Sequence, residues 1–246
     1  MDELYKSKFV DIPNIIADWA GSLADRDILD FGCGDGTIAL GIALHHNPHR
    51  ITGIDTHDVM NLVLPQARQQ IGRDQLPDNL KLVRVVEDAS LEALGTFDLI
   101  YSWSVFEHVR QDLITGCFAK MRRALRTGGL MFLQTTPLYY SSEGSHMKPW
   151  VPQPWAHLMM QHDLFRYAFR AAANERADEL QSVYETLNRQ TASQLLSAAR
   201  DAGFDIIREY RTKDAVEPPA ELLEIYNEDI VTTNQLVFLA RPSSQS

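Results

Sequence analysis

Apolar positions in the first half of the chain alternate between two kinds of pattern. Residues 4–24 carry apolar side chains at helical spacing, and the short, mostly apolar run Ile28 to Phe31 follows them. A continuous apolar run is typical of a buried strand, whereas spacing by three and four positions is typical of a helix. The alternation continues to residue 135, and it predicts strands near 28–31, 50–55, 80–86, 97–102 and 130–135, with helices at 37–46, 62–71 and 113–125. Such alternation favours a doubly wound, mostly parallel α/β sheet.

The regular pattern stops at Pro137. Three more prolines follow within a short distance, and four large aromatic side chains crowd the same stretch: Tyr139, Tyr140, Trp150 and Trp155. A helical segment at about residues 156–187 comes next. We therefore predict an inserted cap after strand five at 137–190, between a core of residues 1–136 and a C-terminal part of the core at 191–246.

The sheet pattern resumes after the insertion. Thr191 is a suitable N-cap for a helix, and Gly203 suits the position just after its end. Apolar runs at 206–210 and 235–240 predict two closing strands, which could form an antiparallel hairpin at the sheet edge with a helix at 218–226 between them. The expected fold is a seven-stranded, Rossmann-like sheet. The polar residues 243–246 predict a disordered tail.

Composition restricts the environment and the partners. The 246 residues include 45% hydrophobic residues, and 23 basic against 33 acidic residues give a formal charge of −10. This charge would repel a phosphate backbone, so we expect no nucleic-acid partner. The two cysteines are too few for a disulfide framework, and no apolar run approaches the roughly 20 residues that span a bilayer. We expect a cytoplasmic protein without a membrane partner.

Candidate chemistry begins at the end of the first predicted strand. Gly32, Gly34 and Gly36 form a Gly-x-Gly-x-Gly turn, which lets the backbone turn sharply and approach a ligand. The dinucleotide fingerprint has different spacing, and Thr37 stands where its third glycine would lie. Asp55, at the end of the second strand, is placed to accept hydrogen bonds from ribose hydroxyls. NAD-binding domains share this acidic residue, so an oxidoreductase remains an alternative.

The sequence Asp30-Phe31-Gly32-Cys33-Gly34-Asp35-Gly36, followed by Asp55, resembles class I S-adenosylmethionine (SAM)-dependent methyltransferases. Further segments within residues 26–136 are similar to the successive motifs of that family. The resemblance implies SAM as cofactor and adds contacts to adenine and to the methionine part. The implied cofactor-binding residues are Asp30, Gly32, Cys33, Gly34, Asp55, Thr56, Met60, Asp88, Ala89, Ser102 and Trp103. For three of them a structural role is the alternative: loop packing for Cys33, the core for Met60 and a helix N-cap for Asp88.

The end of the fourth strand reads Ser102-Trp103-Ser104-Val105, without the Asn- or Asp-Pro-Pro-aromatic tetrad of DNA base-modifying relatives or the metal-binding Asp of catechol-type relatives. We therefore predict no metal. Glu107-His108 is similar to a pair found in small-molecule members of the family, and His108 would lie near the methyl group if a helix began at Val105. His146, in the insertion, is the other candidate base.

Residues after strand five lie over the sheet edge where doubly wound folds bind ligands, so we predict that Tyr139, Tyr140, Trp150 and Trp155 bind the acceptor. The alternative is that these rings only hold the insertion in place. The resulting hypothesis is a metal-independent SAM-dependent methyltransferase that modifies a hydroxyl group of a small molecule, a sugar or a natural product. N- or C-methylation, an NAD-binding oxidoreductase and a non-catalytic SAM-binding protein remain alternatives.

Overall fold

One seven-stranded sheet organises the fold of the computed structural model, which describes residues 1–244. The strand order is β3-β2-β1-β4-β5-β7-β6. Strands β1 to β5 are parallel to one another, and β7 runs antiparallel to both of its neighbours. The strands are β1 Asp27–Phe31, β2 Arg50–Asp55, β3 Leu80–Arg84, β4 Phe97–Trp103, β5 Leu125–Thr135, β6 Phe204–Lys213 and β7 Thr233–Pro242.

Eleven α-helices of the described residues surround this sheet. They are α1 Glu3–Lys6, α2 Ile12–Ala20, α3 Thr37–His45, α4 Val63–Ile71, α5 Ile114–Ala124, α6 Ala156–Met159, α7 His162–Ala173, α8 Ala177–Thr186, α9 Ala192–Asp201, α10 Ala220–Leu223 and α11 Glu228–Thr232. A π-helical turn, Ser7–Asp11, joins α1 to α2. Short 3-10 turns occupy Met60–Leu62, Glu92–Leu94, Gln111–Leu113 and Asn174–Arg176.

The sheet separates two apolar layers because successive strand residues point to opposite faces. Ile28 of β1 packs with residues of α2 and α3, whereas its neighbour Leu29 packs with residues of α5 and α9. The two closing strands form the predicted antiparallel edge hairpin, with β6 outermost. A capping box of Thr191 and Gln194 begins α9, as the N-cap prediction requires. The sequence prediction of fold class is therefore confirmed.

Several predicted elements were wrong in detail. The helical segment expected at about 156–187 consists of three helices, α6 to α8, because Met160 is extended and Asn174 has φ of 50°. The helix expected at 218–226 is only the short α10, and a second short helix, α11, follows outside that range. No helix begins at Val105, where a turn closed by a 2.9 Å bond from His108 N–H to the Val105 carbonyl leads towards α5. Within the tail, Ser243 is ordered by hydrogen bonds to the Gly203 carbonyl, and residues 245 and 246 lie outside the described residues.

The segment after β5 has an apolar cluster of its own. Helices α7 and α8 bury Phe165, Phe169 and Tyr184 against Tyr139. Asp214, just after β6, fixes the start of the segment because its carboxylate accepts from the backbone N–H of Ser142 at 2.7 Å. The segment therefore has its own core beside the sheet.

Candidate active site

The glycine turn after β1 combines tight packing with an open backbone position. Gly32, Gly34 and Gly36 all have positive φ, at 80°, 52° and 79°. A Cβ on Gly32 would collide with Val105, and one on Gly36 would lie 2.7 Å from Leu82, whereas one on Gly34 would meet no atom within 4 Å. Packing against Val105 therefore requires glycine at position 32, and the positive φ favours glycine at position 36. Gly34 instead leaves its backbone accessible, which suits a ligand that approaches closely.

Asp55 is fixed against this turn. The backbone N–H of Gly34 donates to Asp55 Oδ2 at 2.9 Å, and the N–H of His57 donates to Oδ1 at 2.8 Å. Oδ2 keeps a second lone pair for a hydroxyl, and Oδ1 can offer one if the exposed His57 ring, whose Nδ1 lies 3.3 Å away, turns aside. The geometry fits the ribose of a nucleoside.

Asp30 lies behind the turn and is buried, with 1% of its surface exposed. Its Oδ2 has no hydrogen-bond partner among the described residues. Burial raises the pKa of Asp30 to about 7, and the nearby Tyr101 hydroxyl opposes part of that rise. A bound cation would favour the ionised form. Asp35, by contrast, already pairs with Lys8 Nζ at 2.8 Å, so Asp30 is the carboxyl of the turn that fits an ammonium group.

A cavity of about 620 Å³ opens at the carboxyl ends of the strands. Its size lies within the roughly 300–1,000 Å³ usual for small-molecule sites. The predicted cofactor residues among its walls are Gly32, Gly34, Asp55, Thr56 and Ala89. The turn, the ribose acceptor and the segment after β3 therefore meet in one cavity.

Six predicted cofactor residues do not line the cavity. Cys33 is buried against Gly53, and burial raises the pKa of its thiol well above the usual range. Ser102 donates to the Phe31 carbonyl at 2.9 Å, and Trp103 stacks on Phe132. Asp30 lies beneath the turn. Asp88 is exposed and precedes only a 3-10 turn, and Met60 is half-buried in another.

Only one of the two candidate bases is in the cavity wall. His108 lines the cavity, and its ring contacts His146 edge to face with centroids 5.0 Å apart. Burial, with a smaller effect of His146, lowers the pKa of His108 to about 4. His146 lies behind it and donates from Nε2 to the Pro137 carbonyl at 3.2 Å, because a carbonyl oxygen can only accept.

None of the four rings predicted to bind the acceptor lines the cavity. Tyr139 and Trp155 are buried, and Trp155 donates from its indole N–H to the Val231 carbonyl at 3.0 Å. Tyr140 and Trp150 are half-buried and pack against the apolar cluster of the segment. In this structure, packing within the insertion and against residues 226 and 231 of the C-terminal part accounts for all four positions.

The sequence analysis did not predict that α8 forms part of the cavity wall. Ser182, Val183 and Thr186 line the cavity opposite the sheet edge, while Leu180 and Tyr184 of the same helix are buried. Apolar side chains from the turn after β4 and the start of α5 complete this side: Val105, Val109, Leu113 and Cys117. The amphipathic spacing of α8 predicts which of its side chains are buried. Spacing alone does not predict that the opposite face of α8 lines the cavity.

The strand order, the glycine turn and the fixed carboxylate after β2 together are typical of a nucleoside-binding α/β domain. A family model described as a methyltransferase domain matches residues 29–131. A ubiquinone biosynthesis O-methyltransferase of Dechloromonas aromatica is 31% identical over 134 residues, which are 51% of this chain and 52% of that protein. A tRNA U34 carboxymethyltransferase of Cellvibrio japonicus is 33% identical over 114 residues, covering 46% of this chain and 34% of that protein.

Similarity of fold extends over nearly the whole chain. A solved S-adenosylmethionine-dependent methyltransferase from Mesorhizobium loti has a TM-score of 0.56 and 17% identity, with 95% of this chain and 97% of that chain covered. Residues 29–131 thus carry the methyltransferase domain that the glycine turn and Asp55 predicted, and the fold is like that of a solved SAM-dependent methyltransferase. The chain spans about half the length of the ubiquinone relative and about a third of the tRNA relative. No helix of residues 1–244 is long and apolar enough to cross a membrane.

Proposed function

We propose that the chain transfers the methyl group of SAM to a hydroxyl group of a small, largely apolar molecule, with His108 as the proton acceptor. The observation that carries this proposal is the position of His108, a neutral imidazole in the wall of the cavity that Gly34 and Asp55 also line. When bound, SAM supplies an activated methyl group on a sulfonium. The chain's own residues bind it, orient the acceptor and take up the hydroxyl proton.

The donor half of the cavity is proposed from the turn and the ends of β1 to β3. Asp55 would accept from the ribose hydroxyls, Gly34 would let the ligand approach, and Asp30 would lie behind the ammonium group. Thr56 and Ala89 would border the adenine, together with the apolar wall of Val85, Val86 and Leu91. Of these residues, Asp55, Gly34, Thr56 and Ala89 line the cavity, whereas Asp30 would act on the ammonium group from beneath the turn.

The acceptor half is proposed from the turn after β4 and from α8. Val105, Val109 and Val183 give it apolar walls, and Ser104 and Thr186 add hydroxyl groups. We propose that residues 137–190 form the cap of this half through α8. Few polar groups face the acceptor, and the four aromatic rings that would suit a sugar lie elsewhere, so a phenol-like hydroxyl fits better than a sugar.

His108 suits proton removal in its charge state. With its pKa at about 4, the imidazole is neutral at physiological pH and has a lone pair that can accept a proton, although this pKa makes it a weak base. Alignment of the reactants would supply most of the rate, and a general base adds roughly 10²–10⁴-fold. The relative named for ubiquinone O-methylation also supports an oxygen acceptor. The net charge of −10 disfavours RNA as the acceptor, although the second relative is named for tRNA.

The test compares the parent with His108→Gln and His146→Gln. SAM affinity and turnover are measured on the same preparations, and turnover is measured with a panel of mono- and dihydroxyphenols as acceptors. Both variants should bind SAM like the parent because the donor half is unchanged. His108→Gln should lose roughly 10²–10⁴-fold in turnover, and His146→Gln much less. Equal turnover of His108→Gln and the parent would contradict the role of His108. Binding of NAD in place of SAM in the same titrations would favour the oxidoreductase alternative.

A further inference from the structure

The turn that carries His108 is held by the end of the cap. The side-chain amide of Asn188 donates to the carbonyls of Phe106 and Val109, the latter at 2.9 Å. The backbone N–H of Asn188 donates to the Glu107 carbonyl at 3.0 Å. Three hydrogen bonds from one residue of the cap therefore fix the backbone on both sides of His108.

A fourth contact reaches the imidazole itself. Thr186, the last residue of α8, donates its single hydroxyl proton to the Val183 carbonyl at 2.8 Å. The same oxygen lies 3.2 Å from Nδ1 of His108. Because the hydroxyl proton is already used, the oxygen can serve His108 only as an acceptor. Nδ1 must then carry a proton, and in the neutral ring Nε2 is left with a free lone pair.

We infer that Thr186 is a positioning residue, which fixes His108 as the Nδ1–H tautomer so that Nε2 can accept the proton of the acceptor hydroxyl. The inference deepens the proposed function and rests on it for its catalytic consequence. In the transfer step the acceptor oxygen forms a bond to the methyl carbon. The carbon–sulfur bond breaks with its electron pair remaining on sulfur, and the hydroxyl proton goes to Nε2.

The groups around His108 leave this assignment intact. His146 donates from Nε2 to the Pro137 carbonyl, and burial lowers its pKa, so it is also neutral. The Glu107 carboxyl group precedes His108 in the chain but accepts from Thr135 Oγ1 at 2.6 Å. Arg110, two residues after His108, pairs with Asp112 and is exposed. Of the residues that the structure describes, Thr186 is thus the one that hydrogen-bonds to the His108 ring.

Nitrogen-15 NMR of the histidine rings tests the inference without any turnover. The His108 signals are assigned by their loss in His108→Gln. The parent and Thr186→Ser should show a protonated Nδ1 and an unprotonated Nε2, whereas Thr186→Val, which has the same shape without the hydroxyl, should lose that pattern. Thr127→Val, an exposed threonine of β5, controls for the substitution itself. An unchanged Nδ1–H pattern in Thr186→Val would overturn the inference.

Turnover then separates the inference from the proposed function. Thr186→Val should lose roughly tenfold or more in turnover, up to the ~10²–10⁴-fold that a general base contributes, with SAM affinity unchanged and with rescue by Thr186→Ser. Failure of the serine variant to restore both the NMR pattern and turnover would overturn the positioning role. If His108→Gln were fully active, the base assignment would fail instead, and the NMR pattern would still decide what Thr186 does.

Discussion

The backbone N–H of Gly34 donates a 2.9 Å hydrogen bond to Oδ2 of Asp55. This bond joins the glycine turn after β1 to the carboxylate after β2, so the two sequence motifs form one structural unit. The bond from His57 N–H to the other oxygen completes the orientation of the carboxylate. The two motifs can nevertheless be tested separately, because one contributes a side chain and the other an open backbone.

Asp55→Ala should weaken SAM binding while the chain remains folded. The substitution removes charge-assisted hydrogen bonds worth about 1.5–3 kcal/mol each, so a loss of roughly tenfold or more in affinity is expected. Calorimetric titration measures it. Asp58→Ala, at an exposed carboxylate three residues on, is the matched control. Equal SAM affinity of the Asp55 variant and the control would rule out the ribose role.

Gly34→Ala should affect the ligand more than the fold. Its φ of 52° makes alanine strained by about 1–2 kcal/mol, but the added Cβ meets no atom of the chain within 4 Å. Gly72→Ala is a matched control, since Gly72 has φ of 65°, equally open surroundings and a place outside the cavity wall. Both variants should lose a few degrees in Tm, and only Gly34→Ala should lose SAM affinity. Similar affinities in the two variants would argue against close approach of the ligand at Gly34.

Most of the features that could be predicted from the sequence depend on residues that are close together in the chain. The strands, the glycine turn and the N-cap at Thr191 follow from neighbouring residues, because burial of a strand and capping of a helix are local requirements. Asp55 could be predicted for the same reason, since it ends β2 beside the turn.

The acceptor side could not be predicted because it depends on contacts between distant segments. His108 and Thr186 are 78 residues apart, and nothing in either neighbourhood indicates that they meet. The rings of Tyr139 and Trp155 are equally consistent with a binding wall and with a buried core. Their packing against α8 and α11 decides between these interpretations.

Glu107→Gln should change the pH dependence of stability. Burial raises the pKa of Glu107 from 4.5 to about 7, so the folded state holds a proton that the unfolded state releases. The parent therefore loses stability as pH rises from about 4.5 through 7, by an order of roughly 3 kcal/mol from this group. Denaturant unfolding at several pH values between about pH 5 and pH 9 measures how far the free energy of unfolding falls. Glu107→Gln should not show this fall. If the difference in free energy of unfolding between the parent and the variant did not vary with pH, the raised pKa of Glu107 would be contradicted.

Chelation should leave turnover unchanged. Among residues 1–244, no group of three or more His, Cys, Asp or Glu side chains is placed to hold a metal ion. The proposed proton acceptor is an imidazole that works without one. The measurement is turnover before and after EDTA treatment, followed by addition of magnesium. Loss of turnover with EDTA and its recovery with magnesium would show that the proposed metal-independent reaction is wrong.

Methyl transfer itself is tested most directly with SAM labelled in its methyl group, incubated with the full chain and the panel of mono- and dihydroxyphenols. We expect label in a phenol ether of low molecular mass, S-adenosylhomocysteine in equal amount, and a strong reduction of both in His108→Gln. Formation of neither product with any phenol, or label that enters RNA or an amine instead, would contradict O-methylation of a small hydroxyl acceptor.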